Sequence, residues 1–395
     1  MTNIQNKWLY AIIAFSINLW NFAYLDLKIY QLVHLVIFIF ILFYTYKSYK
    51  TNIINQNNIL VLLMCALPIF SIISCKILHN QSIVTSIIVW RMHIGWLIYY
   101  VLWYKNIKIK DIYKVILFIS IIYTAITLLQ QFTYPIAPFG ARTFGSGYDE
   151  KFNGEVESRM GFYRFVVGGV YYTGISLLLY WGKHKKHIKS TKGLLISLLF
   201  ILAIIANGYR NIIIAIIFSL IYCKWGIKKT LKYFILFFPI SVILFSSIFT
   251  GLLTTASEDI ENSRAVSYVY FFNEYSNNWF SILFGNGVSH DSSQYGEYFE
   301  ELFANKIICS DTGLLGATYY WGGIYIVVYL FLLTKLLVNK YLDRCYKSVI
   351  IFILIPSWTM LPMWEIQGCI LHGIIIYLAH RNIYDNLKIN SNDMQ

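Results

Sequence analysis

Charge is scarce in this chain. Charged residues fill 13% of its 395 positions and hydrophobic ones 58%, where soluble domains carry roughly 25% charged residues. That shortage excludes an ordinary water-soluble globule. No small-residue cleavage site follows the first apolar run, so the chain is expected to start as a membrane span and not as a removable signal peptide. The six cysteines show no CxxC spacing, which leaves them as small apolar filler within or near spans. There is no Walker A sequence, no HExxH and no GxSxG elbow. The DxD-type carboxylate pair of many soluble glycosyltransferases is also missing, and no internal repeat stands out, which speaks against a transporter built of repeated halves.

What the chain has is a succession of apolar runs long enough to span a bilayer. They place spans at about 8–25, 27–46, 59–78, 83–104, 112–134, 165–182, 193–206, 211–223, 231–252, 312–334, 347–365 and 368–380. The expected fold is an all-α polytopic membrane protein, one domain over 1–395, with about twelve transmembrane helices. Every second connection is basic and rich in lysine: Lys47 and Lys50, then Lys105 to Lys114, Lys183 to Lys192, Lys224 to Lys232, Lys335 to Lys347, and Arg381 with Lys388. By the positive-inside rule these loops and both termini are cytoplasmic. The net charge of +13 is then a topology signal, and nucleic acid is not expected as a partner.

The opposite face is expected to carry two large extracytoplasmic loops, 135–164 and 253–311. Its bases are mainly arginines: Arg142, Arg159, Arg164, Arg210 and Arg264. Arginine offers a planar fork that grips phosphate or carboxylate bidentately, although the many nearby acids are alternative partners for Arg142 and Arg159. Loop 253–311 is far longer than an ordinary connection. It keeps Tyr268, Tyr270, Phe271, Phe272, Trp279, Phe280 and Phe284, so packed structure is expected there. The acidic pairs Asp149-Glu150 and Glu300-Glu301 read as solvated acids, and no metal or other cofactor is expected.

Three places can hold an anion or move a proton. Arg91 falls inside the fourth span, roughly 12 Å below its outer end at 1.5 Å per residue, and should face the bundle interior or a wet cavity. His93, two residues on and about 200° around an α-helix, reads as a structural histidine serving other neighbours. Spans seven and eight are short, reaching about 21 Å against an apolar core of roughly 30 Å. The turn Asn207-Gly208-Tyr209-Arg210 should therefore end inside the membrane thickness, where non-helical backbone must be buried or line a wet cavity. Arg210 would sit there beside the free N–H groups of the next helix. Asp311, at the start of the tenth span, can cap that helix or orient and deprotonate a hydroxyl. Glu365 and His372 are read as local structural residues.

The chain resembles the O-antigen polymerase and ligase superfamily of polytopic enzymes that process lipid-linked glycans. The likeness rests on Asn207-Gly208-Tyr209-Arg210 between two short helices and on Asn262-Ser263-Arg264 leading through aromatics into Leu283-Phe284-Gly285-Asn286-Gly287. Its third part is Ser310-Asp311-Thr312-Gly313 before Tyr320-Trp321-Gly322-Gly323. The resemblance implies a GT-C-like bundle in the bacterial cytoplasmic (inner) membrane, acting in lipopolysaccharide or capsule synthesis. It further implies a glycosyltransferase that moves a growing glycan from undecaprenyl diphosphate to an undecaprenyl-diphosphate-linked repeat, with no nucleotide needed. Ligases of the superfamily show a histidine near the position of Ser310-Asp311, and none stands here, which favours polymerase over ligase; the asymmetric outer loops and the absence of repeats speak against a lipid-linked glycan flippase. The diphosphate-binding candidates are Arg210, Arg264, Arg91 and Arg164. Asp311 is the first candidate for the catalytic base and His290 the second. The expected partners are the lipid-linked oligosaccharide, the lipid bilayer and, from the family alone, a chain-length regulator.

Overall fold

The computed structural model describes residues 7–17, 27–51, 59–134, 158–159, 162–163, 169–183, 191–206, 208, 210–228, 260–276, 278–305, 307–360 and 365–392. The span expected at 231–252, most of loop 135–164, and Arg142 and Arg164 lie outside these residues. The described chain is mostly helical. Besides helices it has one antiparallel ladder of two residues a side, β1 (Ser158–Arg159) and β2 (Phe162–Tyr163).

In chain order the helices are α1 (Lys7–Ser16), α2 (Leu27–Lys50), α3 (Ile59–Ala66), α4 (Pro68–His79), α5 (Ile83–Trp90), α6 (Ile98–Tyr104) and α7 (Ile109–Thr133). The second half contributes α8 (Val170–Lys183), α9 (Thr191–Ala206), α10 (Arg210–Trp225), α11 (Ile260–Ser276), α12 (Trp279–Phe284) and α13 (Gln294–Ala304). It closes with α14 (Leu314–Trp321), α15 (Gly323–Val338), α16 (Arg344–Leu354) and α17 (Ile366–Asn392). Among the described residues, four stretches are long and apolar enough to cross a membrane: Gln31–Lys50, Ile59–His79, Ile83–Tyr104 and Ile109–Thr133.

The core is a layer of aromatic and β-branched side chains between the 83–104 stretch and α17. Trp96, Tyr99, Tyr100 and Tyr377 are fully buried there. Close packing comes from Gly95, where a Cβ would stand 2.9 Å from the Cys369 Cβ. Two polar pairs lie inside this layer: Tyr99 with His380 Nδ1 at 2.9 Å, and Tyr329 with His372 Nε2 at 3.1 Å. His372 Nδ1 lies 2.7 Å from the Gly368 carbonyl. That carbonyl can only accept, so Nδ1 carries the proton and Nε2 accepts from the tyrosine. His372 is thus satisfied at both nitrogens.

Among the described residues, four expected spans are not single α-helices. That at 59–78 is divided at Leu67 into α3 and α4. The 83–104 stretch winds as a 3-10 helix from Arg91 to Leu97, longer than such runs usually are. The stretch expected as span 312–334 breaks at Gly322 into α14 and α15. That expected at 347–365 turns at Pro356–Trp358, where proline removes a backbone donor. The break at Gly322 has a visible cause. Gly285 and Gly322 lie backbone to backbone, each at positive φ (79° and 85°), and a Cβ on either would overlap the other segment's main chain.

Candidate functional site

Gly285 begins an extended segment, 285–290, that threads between α4 and the α14–α15 break. Its backbone is paired on both sides. Asn286 N–H donates to the Tyr319 carbonyl at 2.7 Å and Gly287 N–H to that of Tyr320 at 2.9 Å, while Ser74 Oγ donates to the Gly285 carbonyl. Asn286 is 5% exposed. Its side-chain oxygen takes a 3.0 Å hydrogen bond from Ser281 Oγ, and its amide nitrogen donates to the Tyr319 carbonyl. The Leu283–Gly287 motif is therefore built into the bundle and is not a surface turn.

The far end of the segment is held by Gln81, in the turn between α4 and α5. Its amide is 2% exposed and makes four hydrogen bonds. Nε2 donates to Ser86 Oγ (2.9 Å) and to the Val288 carbonyl (3.0 Å). Oε1 accepts from the His290 backbone N–H (3.0 Å) and from Ser293 Oγ (2.8 Å). A flipped amide would face a carbonyl with its oxygen and an N–H with its nitrogen, so this network sets its orientation. Ser293 in turn caps α13 by accepting from Gly296 N–H at 3.0 Å. One turn on, Tyr295 stacks on His79 at 3.8 Å. Burial raises its phenol well above the ordinary tyrosine range, so it stays a donor, within 3.4 Å of the Tyr319 hydroxyl.

The clamp sets Val288, Ser289, His290 and Asp291 against one wall of a cavity of about 520 Å³. The cavity is also lined by Ser86 and by residues 88–93, with Arg91 half-buried, and by Gln31 of α2, Ser71 of α4 and Trp321 of α14. His290 Nδ1 accepts from Ser292 N–H (3.2 Å) and lies 3.0 Å from Ser292 Oγ. A backbone N–H can only donate, so the neutral ring keeps its proton on Nε2 and offers a donor. This form stabilises negative charge and is the wrong one for taking a proton from a hydroxyl.

The other candidates gather elsewhere. Asp311 lies in the 3-10 turn Cys309–Thr312, half-buried, and its neighbour Gly313 packs on the backbone of Ser357 and Trp358. Arg264 is in α11. Tyr268, one turn later, donates its hydroxyl to the Trp358 carbonyl, and Ser267 Oγ accepts from Ile308 N–H at 3.0 Å. Arg210 is the first residue of α10, and its neighbour Asn211 donates to Thr359 Oγ1 at 3.0 Å. Residues one to four positions from Arg210, Arg264 and Asp311 thus all contact one turn, 356–359. The connection before Arg210 contains Gly208, which is buried.

Helix α14 joins the two places. Gly313 at its start meets the 356–359 turn and Trp321 at its end lines the cavity, about 12 Å apart for eight residues. The structure brings Arg91 together with His290 and separates both from Asp311. Sequence reading missed Gln81 and misplaced His93. A 3-10 helix turns 120° per residue, so the two residues stand about 120° apart by the shorter arc instead of about 160°, and both line the same cavity. Among the described residues, no group of three His, Cys, Asp or Glu side chains converges in the manner of a metal site.

Searched against protein-family models the chain matches none, and no curated protein matches it significantly.

Proposed function

We propose that this chain is a polysaccharide polymerase of the bacterial cytoplasmic membrane, crossing it about twelve times with both termini inside. It extends a lipid-linked glycan on the extracytoplasmic face. A hydroxyl of the acceptor repeat attacks the anomeric carbon of the growing chain, the bond from that carbon to undecaprenyl diphosphate breaks, and its electron pair leaves with the lipid diphosphate. The acceptor proton passes to a carboxylate. No nucleotide or metal is required by this balance.

One observation carries the reading: an arginine within an apolar stretch lines a half-open cavity that it shares with a loop histidine whose Nε2 is left as the donor. An intramembrane guanidinium is costly unless something uses it. The reaction also needs two anion sites, because donor and acceptor each carry a diphosphate. Arg210, Arg264 and Asp311, near the 356–359 turn, suit the reacting diphosphate and the proton acceptor, since preorganised arginines stabilise the leaving charge. The Arg91–His290 cavity suits the acceptor's diphosphate, which lies a whole repeat unit away from the attacking hydroxyl and does not react.

The test is elongation by the purified chain in vesicles that hold one lipid-linked repeat and no other protein. Ladders of increasing length support the proposal. Single repeats only overturn it, as does transfer to lipid A core in place of elongation when that acceptor is added to the vesicles. Arg210→Ala, Arg264→Ala and Asp311→Asn should each stop elongation with the protein still in the membrane. Arg91→Ala should raise KM for the acceptor by roughly 10-fold or more, the cost of one charge-assisted hydrogen-bonding partner.

A further inference from the structure

A second cavity, of about 380 Å³, lies where α10 ends and α16 begins. That is the far end of both helices from the 356–359 turn, roughly 24 Å along α10. Tyr222, Gly226 and Ile227 line the cavity from the α10 side, and Leu342, Arg344 and Lys347 from the α16 side. The Arg344 guanidinium lies over the end of α10. Its carbon is 3.5 Å from where a Gly226 Cβ would stand, and Nη1 donates to the Lys224 carbonyl at 3.4 Å. That bond serves a carbonyl in the last turn of α10 and uses one of five guanidinium donors. The other four have no partner among the described residues.

Lys347 stands one turn on along α16, and the Arg344 charge reaches its ammonium. Like charges so close on one helix face repel. Among the described residues neither makes an ion pair with a carboxylate. Asp343 is next in sequence, but its two oxygens accept from Asn382 Nδ2 at 2.9 Å and Asn386 Nδ2 at 3.1 Å, both on α17. The surroundings select the kind of anion. Trp225 and Ile227 are exposed at the end of an apolar helix, and the Lys224 ammonium sits 4.5 Å over the Trp225 ring. Aromatic and basic residues in that position mark the headgroup level of a bilayer.

We infer that this cavity binds the phosphate of an anionic glycerophospholipid, gripped by Arg344 and Lys347 with the glycerol end against Ile227 and Leu342. Basic pockets between membrane helices suit such headgroups. The guanidinium fork takes two phosphate oxygens and the ammonium adds charge. A zwitterionic headgroup would bring a third cation to the two already there, so the site discriminates against it. The inference is independent of glycan polymerisation.

The test uses the full chain, purified in detergent and stripped of lipid, with bound lipid counted by native mass spectrometry. Dioleoyl phosphatidylglycerol, dioleoyl phosphatidylcholine and inorganic phosphate are the probes. Wild type is compared with Arg344→Gln, Lys347→Gln and, as a control, Lys340→Gln, whose ammonium lies over Tyr341 outside the cavity. Phosphatidylglycerol is expected to bind about 10-fold more tightly than phosphatidylcholine and to weaken about 10-fold in each cavity variant, with no change in Lys340→Gln. Equal binding of the two lipids overturns the inference, as does wild-type affinity in Lys347→Gln or equal loss in Lys340→Gln. Displacement of the lipid by inorganic phosphate assigns the cavity to a free anion and also overturns it. Should Arg344→Gln not fold, having lost its bond to α10, Lys347→Gln still decides.

Discussion

The side-chain oxygen of Gln81 accepts the backbone N–H of His290 at 3.0 Å, across 209 positions of sequence. The same amide holds the Val288 carbonyl, so one buried side chain docks the whole 288–293 segment on the α4–α5 turn. Replacing Gln81 with alanine leaves a carbonyl and an N–H without partners, each worth about 1–3 kcal/mol. Hydrogen exchange should therefore speed up over 288–293 while α7 and α17 stay protected. Unchanged exchange there would show that the clamp does not hold the segment.

Arg91→Lys separates charge from shape. Lysine keeps the cation and loses the planar fork. Elongation by this variant should fall between wild type and Arg91→Ala, with the loss mainly in acceptor KM. Equal behaviour of lysine and arginine would mean that only the field of the charge matters.

Gly322→Ala tests the seam between α14–α15 and the 285–290 segment. Positive φ alone costs an L-residue roughly 1–2 kcal/mol, and here the new Cβ also meets the backbone of Leu283 and Phe284. The variant is expected to lose the folded population in a detergent thermal scan, or to unfold well below wild type. A transition temperature within a degree of wild type would contradict the close approach.

At the other end of the bundle Asn382 and Asp343 form a reciprocal pair. Asp343 N–H donates to Asn382 Oδ1 at 2.9 Å, and Asn382 Nδ2 donates to the Asp343 carboxylate at 2.9 Å. Asn382 is 4% exposed. Asn382→Ala should destabilise by about 1–3 kcal/mol without changing acceptor KM, because the pair ties α16 to α17 away from both candidate sites.

Sidedness can be read directly. In a chain with its six native cysteines replaced, single cysteines at positions 210 and 264 are expected to react with an impermeant maleimide from outside whole cells. Cysteines at 105 and 340 should react only after lysis. Labelling of 210 and 264 from opposite faces would dismantle the proposed reaction centre.

The amino-acid sequence alone was enough for the helical, membrane-compatible character of the chain. Twenty-residue apolar runs carry that signal locally, and backbone in hydrocarbon must pair with itself. It was enough also to single out Arg91, because a charge inside such a run is conspicuous wherever it ends up. Tertiary structure decided which residues share a cavity. Gln81 is an ordinary turn amide until a segment from the far half of the chain arrives to take three of its four hydrogen bonds. His93 and Arg91 line one cavity on a 3-10 stretch, not an α-helix, and that stretch packs closely on α17 at Gly95. The break at Gly322 exists because Gly285 lies against it. Such facts are contacts between distant segments, and no local pattern of side chains encodes them.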